Sequence, residues 1–245
     1  MSASVFLKAE WRNLVFMNYE VNPGILAKYL PPNTELDTFN GIHYVSLVGF
    51  LFKDTRVKGV IVPFHRTFEE INLRFYVRSW QNGKWKRGVV FIKEIVPKKL
   101  IALVANKVFG ENYEASDMRH LWSFPEPERL SVEYMWRHGN QLNWVTATAE
   151  GLARYPAKAS EEEFICEHYF GYTKDKHGIT TEYEVEHPQW RMHKVLHYTV
   201  RCPFDKVYGT DFAFMNTAKP KSVFLADGSE IRVLDKKKLN KVLVA

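Results

Sequence analysis

An α+β fold made mainly of antiparallel strands is predicted for this chain by three observations. Aromatic residues make up 15% of its 245 residues, a share that suits pleated, half-buried surfaces. Asn-Gly and related turn signals join several apolar stretches, and strands joined by short turns pair antiparallel. Helical patterns are few and short, so a dozen or so strands must curl into a barrel or sandwich with helices packed outside. No stretch reads as a linker, repeat or low-complexity tract, and one domain spanning 1–245 is expected.

Each element has a local reason. "RNLVFMNYEV" (12–21) reads as a strand, after which Asn22 caps a short helix with Pro23 at its first position. "TELDTFNGIHYVSLVGFLF" reads as strand, Asn40-Gly41 turn, strand. "EEINLRFYVRSW" and "WKRGVVFIKEI" repeat that pattern around Asn82-Gly83. Pro97 stops the second of these, and an amphipathic helix opened by Lys98 and Lys99 follows as far as Gly110. "LSVEYMWRHGNQLNWVTATAEG" is a third hairpin around His138-Gly139-Asn140, and Ser160-Glu161-Glu162-Glu163 is a capping box that starts a brief helix. "CEHYFGYT", a turn at "KDKHG" and "ITTEYEVEH" follow, then "KVLHYTV" and "SVFLADGSEIRVL", the last turning at Asp227-Gly228.

The net charge of +6 comes largely from "KPK" (219–221) and the C-terminal "DKKKLNKVLVA", which read as a solvated basic tail. No recognition helix, zinc finger or RNA-binding motif accompanies it, so no nucleic-acid partner is expected. No apolar run approaches the ~20 residues of a membrane span. "MSASVFLKAEWR" lacks the basic start and apolar core of a signal peptide, so a cytoplasmic protein without a membrane partner is expected. Cys166 and Cys202 have no metal-ligand spacing and read as buried thiols. His168, His187, His193 and His197 match no zinc signature, although His193 and His197 are even-spaced and so share a strand face; neither metal nor cofactor is expected. Glu182, Glu184 and Glu186 alternate onto one face, expected in solvent, with Tyr183 and Val185 turned to the core. Arg74 and Arg78 share a face that suits either a carboxylate ligand or an ion-pair ladder. No nucleophile elbow, phosphate loop or dinucleotide fingerprint is present.

"WRNLVFMNYEVNPGILAKYLPPNTELDTFNG", "EEINLRFYVR", "EHYFGYT", "EYEVEHPQW" and "SVFLADGSE" together resemble the YqjF-like family, a domain of unknown function (DUF2071) found in bacterial proteins. A remoter similarity links that family to acetoacetate decarboxylase and implies a closed, cone-like β-barrel around a central cavity, with a few short peripheral helices. Arg12, Tyr19, the helix containing Leu26, Pro31 and Glu35-Leu36-Asp37 follow that enzyme's N-terminal order. Lys93-Glu94 and then Pro97-Lys98-Lys99 resemble its basic residue, glutamate and Pro-Lys-Lys triplet, with a spacing two residues shorter. The resemblance implies Lys98 as the Schiff-base amine, Lys99 as its cationic neighbour and Arg12 as the substrate-binding arginine. The position of the enzyme's catalytic glutamate falls near Val57, which leaves Glu69 or Glu70 to take its part. Arg12, Glu94 and Glu70 are therefore the candidate substrate-binding residues.

A lysine that forms an imine must be neutral, whereas a free one titrates at about 10.4. Desolvation in a cavity, an adjacent cation and the positive end of a helix each lower that value. Alternatively both lysines snorkel to water. Adjacent helical residues point ~100° apart, so only one of them need face a cavity. Two functions follow: a Schiff-base lyase acting on a small oxo acid, or a non-catalytic ligand-binding or sensing protein using the same cavity, with a small molecule as partner in both. A third class, binding through the C-terminal lysines, predicts loss of function in high salt.

Overall fold

The computed structural model describes residues 4–126 and 128–239. Strand β1 (Val5–Glu20) leads into α1 (Pro23–Leu26), where the Asn22 side chain accepts a hydrogen bond from the Gly24 N–H at 2.9 Å. Strands β2 (Glu35–Leu36) and β3 (Tyr44–Val57) do not form the hairpin expected at Asn40-Gly41, which is reduced to one bridge between Phe39 and Ile42. The reason is competition for the backbone. β2 pairs instead with the later strand β5, and the Asp37 N–H donates to the Tyr76 carbonyl.

After β4 (Val60–Ile61), β5 (Phe68–Gln81) and β6 (Lys84–Val96) form the predicted hairpin across Asn82-Gly83, both at positive φ. Helix α2 (Lys99–Phe109) ends on left-handed Gly110. Then come β7 (Tyr113–Ala115), β8 (Met118–Ser123) and the hairpin of β9 (Arg129–His138) with β10 (Gln141–Glu150). Helix α3 (Glu161–Cys166) starts at Ser160, whose hydroxyl accepts from the Glu163 N–H as the capping box predicts. Strands β11 (Phe170–Lys174), β12 (Thr180–Glu186), β13 (Met192–His193) and β14 (Val195–Arg201) precede α4 (Phe204–Val207), β15 (Ser222–Leu234) and β16 (Lys237–Lys238).

The fold is mainly β, in two sheets. The smaller holds β14-β10-β9-β8. In the larger, pairing runs β15-β1-β3-β5-β6-β11-β12 and returns from β12 to β15 through Val185 and Val233. One core lies between the sheets, with Val15, Leu47 and Phe75 meeting Tyr134, Trp136 and Val145. The other lies inside the curve of the large sheet, with Phe16, Phe50 and Tyr76 meeting Phe164 of α3. Among the described residues no helix is long and apolar enough to cross a membrane.

Four expectations need correction. Asp227-Gly228 is no turn but lies within β15, because β1 pairs on both sides of it in one register. Gly228 lies opposite Arg12 at φ 78°, and a Cβ there would sit 2.0 Å from the Trp11 carbonyl oxygen. Glu182 is not in solvent: it is 2% exposed and bonded to Lys86 and Lys237, each at 2.9 Å, and to Gln81. That contact also ties down part of the supposed basic tail, since β16 pairs with β12; residues 240–245 lie outside the described residues. His193 and His197 share no face, because β13 joins the large sheet and β14 the small one.

Candidate functional site

Alternation along β5 sends Phe68, Glu70, Asn72, Arg74 and Tyr76 to the inside of the large sheet, while Ile71, Leu73, Phe75 and Val77 face the second sheet. On β6 the same alternation, continued from Phe91, turns Lys93 inward. A register shift between Leu73 and Arg74 overrides it. Lys93 therefore reaches outward to Glu114 at 2.9 Å, and Glu94 faces inward beside Asn72.

These strands, β12 and α2 surround a cavity of about 250 Å³. Its wall is mainly apolar and rich in aromatic rings, including Trp11, Phe50, Phe52, Phe91 and Trp190. Leu100 and Val104 of α2 stand at its mouth, 47% and 37% exposed. Only Ala102 of that helix is buried, so α2 covers the opening with little packing to hold it there.

Three carboxyl groups meet in this cavity. Glu70 and Glu94 come from the paired strands, and Glu111 from the turn after the Gly110 cap. Tyr113 Oη and Asn72 Nδ2 each donate to Glu70 at 3.0 Å, and Tyr183 Oη donates to Glu111 at 2.7 Å. Tyr183 has room to lie there because Gly171 is its partner on β11, where a Cβ would sit 2.1 Å from the phenol ring. Burial pushes Glu70 up to about 7 against the opposing bonds from Asn72 and Tyr113 and the Arg74 charge. Burial lifts Glu111 to about 8, with Glu70 adding repulsion, and it raises Glu94 well above the usual carboxylate range, with Glu111 and Glu70 adding theirs. Glu111 keeps some solvent contact, so the enclosure of Glu70 and Glu94, 3% and 2% exposed, is the firmer basis for the cluster's resistance to ionisation.

The rest of the polar wall is cationic or neutral. Arg74 lies against the rings of Phe16 and Tyr76 and donates to the Ile165 carbonyl at 3.4 Å; among the described residues no carboxylate forms an ion pair with it. Its expected companion Arg78 lies farther out, paired with Glu35 at 2.6 Å. His168 contacts Asp37 at 3.3 Å through Nε2, and burial holds its ring down at about 4, hence neutral at pH 7. Burial likewise lowers His187 to about 4. Among the described residues, six buried atoms of the wall have no hydrogen-bond partner: Glu94 Oε2, Asn72 Oδ1, Arg74 Nε, His168 Nδ1, Trp11 Nε1 and Thr55 Oγ1.

Of the residues singled out from the sequence, Glu70 and Glu94 line the cavity, while Arg12, Lys98 and Lys99 do not. On β1, Trp11 and Leu14 face inward across a one-residue irregularity at Asn13, so Arg12 turns the other way and pairs with Glu10 at 2.7 Å. Lys98 is the half-buried cap of α2 and Lys99 is exposed. Lys98 lies near Glu69, whose carboxyl faces away from the cavity and bonds His120 at 2.6 Å. Against the upward push of burial, His120 and then Lys98 help hold Glu69 below the usual carboxylate range. Arg12 and Glu69 flank Leu51 across three adjacent strands, ~10 Å apart. Arg12, Glu69, Lys98 and His120 therefore belong to the outer face, and Glu70 and Glu94 to the inner one. Among the described residues no group of His, Cys, Asp and Glu is arranged to hold a metal ion.

Glu111, Tyr113 and Asn72 were not singled out by sequence reasoning. Glu111 follows a helix cap and belongs to no periodic stretch, and only the fold brings it to Glu70. Tyr183 is buried, as the alternation along its strand predicts.

The fold, mainly β in two sheets, is similar to that of solved acetoacetate decarboxylase-like proteins. Acetoacetate decarboxylase from Legionella pneumophila superposes with a TM-score of 0.64 at 14% identity, over 100% of this chain and 91% of that one. The enduracididine biosynthesis enzyme MppR complexed with pyruvate gives 0.64 at 12% identity, over 98% and 92% of the two chains. The uncharacterized protein YqjF of Bacillus subtilis (strain 168) is 26% identical over 188 residues, covering 75% of this chain and 74% of that protein. Residues 8–230 match the model of DUF2071, a family of uncharacterized conserved proteins, and the chain belongs to that family.

Proposed function

We propose that the large sheet closes as a barrel around the cavity and that the protein binds a small molecule there. One observation carries this reading: six buried polar atoms without partners, among the described residues, in an otherwise largely apolar wall. Buried polar groups are normally satisfied, and each unmet one costs about 1–3 kcal/mol. A ligand that meets them recovers that cost and buries its own apolar surface, and an apolar pocket with a few convergent polar groups is the usual form of a small-molecule site. No lysine is among the lining side chains, so a ligand held there has no amine with which to form an imine.

A second reading, a Schiff-base lyase acting on a small oxo acid, is favoured by the outer cluster. Lys98 stands at the N-terminus of α2 with Lys99 beside it, and Glu69, His120 and Arg12 lie on the same face. Arg12 would hold the carboxylate, and Glu69 with His120 would move protons. The pyruvate complex of the similarly folded MppR supports this substrate class.

One experiment separates the two. The protein is incubated with small oxo acids including pyruvate and reduced with borohydride, and adducts are mapped by mass spectrometry. Binding is followed in parallel through the fluorescence of Trp11 and Trp190. Quenching without an adduct supports the binding protein. A covalent mass on Lys98 that disappears in Lys98→Ala overturns it in favour of the lyase.

A further inference from the structure

We propose that the ligand of this cavity carries a protonated amine, seated among Glu70, Glu94 and Glu111, on an apolar body of roughly aromatic size. The inference rests on the cavity reading above and adds the class of ligand.

The first argument is the hydrogen-bond inventory. Of the six unpartnered atoms, Asn72 Oδ1 is an acceptor, and Glu94 Oε2 becomes one when its carboxyl gives up the proton. His168 Nδ1 is a third, because a neutral imidazole that donates to Asp37 from Nε2 leaves a lone pair on Nδ1. Arg74 Nε and Trp11 Nε1 are donors, and the Thr55 hydroxyl can act either way. Asn72, Arg74, Glu94 and His168 are each more than nine-tenths buried, and all six residues line the cavity. The three acceptors call for donors on the ligand, and an ammonium group offers three.

The second argument is charge. Glu70 and Arg74 face the cavity from β5 and Glu94 from β6. Glu111 and Tyr113 follow α2, Cys166 and His168 come from α3 and the residues after it, and Tyr183 and His187 from β12 and its end. His65 stands on the loop before β5. Three carboxyls stand against one guanidinium, which is always charged, with His168 and His187 neutral. In the empty cavity the carboxyls avoid mutual repulsion by keeping protons. An alkylammonium, which like lysine stays protonated to about pH 10, supplies the positive charge instead. Binding R–NH₃⁺ then releases a proton from the cluster to solvent, with no change of covalent bonds in the ligand.

The third argument is the wall itself. Phe109, Tyr113 and Tyr183 stand beside the carboxyls, and ring faces attract cations. An apolar cavity of about 150 Å³ accepts benzene, so the 250 Å³ here suits an arylalkylamine.

The test is calorimetric titration of the full chain with 2-phenylethylamine, 2-phenylethanol and phenylacetate at pH 6 and pH 8, in two buffers of different ionisation enthalpy. The amine is expected to bind at least tenfold more tightly than the alcohol at pH 8. The preference should shrink at pH 6, with about one proton released per amine bound. Glu94→Gln should lose most of the preference for the amine over the alcohol, and Glu111→Gln should lose less of it. If the alcohol binds as tightly as the amine, or phenylacetate binds best, the amine assignment is overturned and the cavity reading stands. If none of the three binds, both are overturned.

Discussion

Replacing Glu70 by Gln tests the electrostatics of the cavity without a ligand. A buried carboxyl that titrates at about 7 in the folded chain, against about 4.5 when unfolded, binds more protons folded than unfolded between those values. Stability therefore falls as pH rises through this window. The penalty is absent below pH 4.5 and complete above pH 7, at roughly 3 kcal/mol, since each tenfold step in proton affinity is about 1.4 kcal/mol. Glu70→Gln cannot ionise and escapes it. The side-chain amide must rearrange its contacts with Tyr113 and Asn72, which adds a constant offset. The quantity to read is thus the change in the difference between variant and wild type, not its level. Urea denaturation of both proteins at pH 5, 6, 7 and 8.5 should show the variant gaining about 3 kcal/mol on the wild type across the series. Glu94 and Glu111 also titrate in the variant, and loss of the Glu70 charge eases their ionisation, which adds to the gain. Parallel stability curves would mean that Glu70 already carries its charge in contact with water, and the reasoning from burial would fail.

Three other outcomes are expected. Gly228→Ala should destabilise the protein by at least about 2 kcal/mol in the same denaturation assay, because its Cβ meets the Trp11 carbonyl and its φ is positive. Glu182→Ala leaves the partly buried Lys86 without its partner and should cost about 2 kcal/mol at pH 7. Glu182 titrates below the usual carboxylate range in the folded state through its bonds to Lys86 and Lys237, which outweigh burial, so its contribution is present at neutral pH and fades as the solution is acidified below pH 4.5. Helix α2, with Leu100, Leu103 and Val104 exposed, should exchange its amide hydrogens far faster than β5 and slow when the cavity is filled.

Much of this fold is legible in the sequence, because local chemistry and tertiary pairing agree over most of it. Asn82-Gly83, Gly139-Asn140, the Asn22 and Ser160 caps and the Pro97 stop all act within a few residues and all appear where they were read. The failures occur where a distant strand decides. β5 takes the partner expected for β2, β1 straightens the supposed turn at Gly228, and Lys86 and Lys237 draw Glu182 inward. The site was half legible for the same reason. Period-two alternation places Glu70 and Arg74 on one face, but two register irregularities decide that Glu94 faces in while Lys93 and Arg12 face out. Glu111 reaches the cluster only through the path of the chain after α2. A motif such as Pro97-Lys98-Lys99 records sequence order and does not say which side of a sheet its side chains reach.

The most direct measurement is a crystal structure of the protein grown with 2-phenylethylamine. The account predicts its ring inside the large sheet among Trp11, Phe91 and Trp190, with the nitrogen about 3 Å from Glu94 Oε2. Density for the probe on the outer face near Lys98, with the inner cavity left without it, would contradict the account.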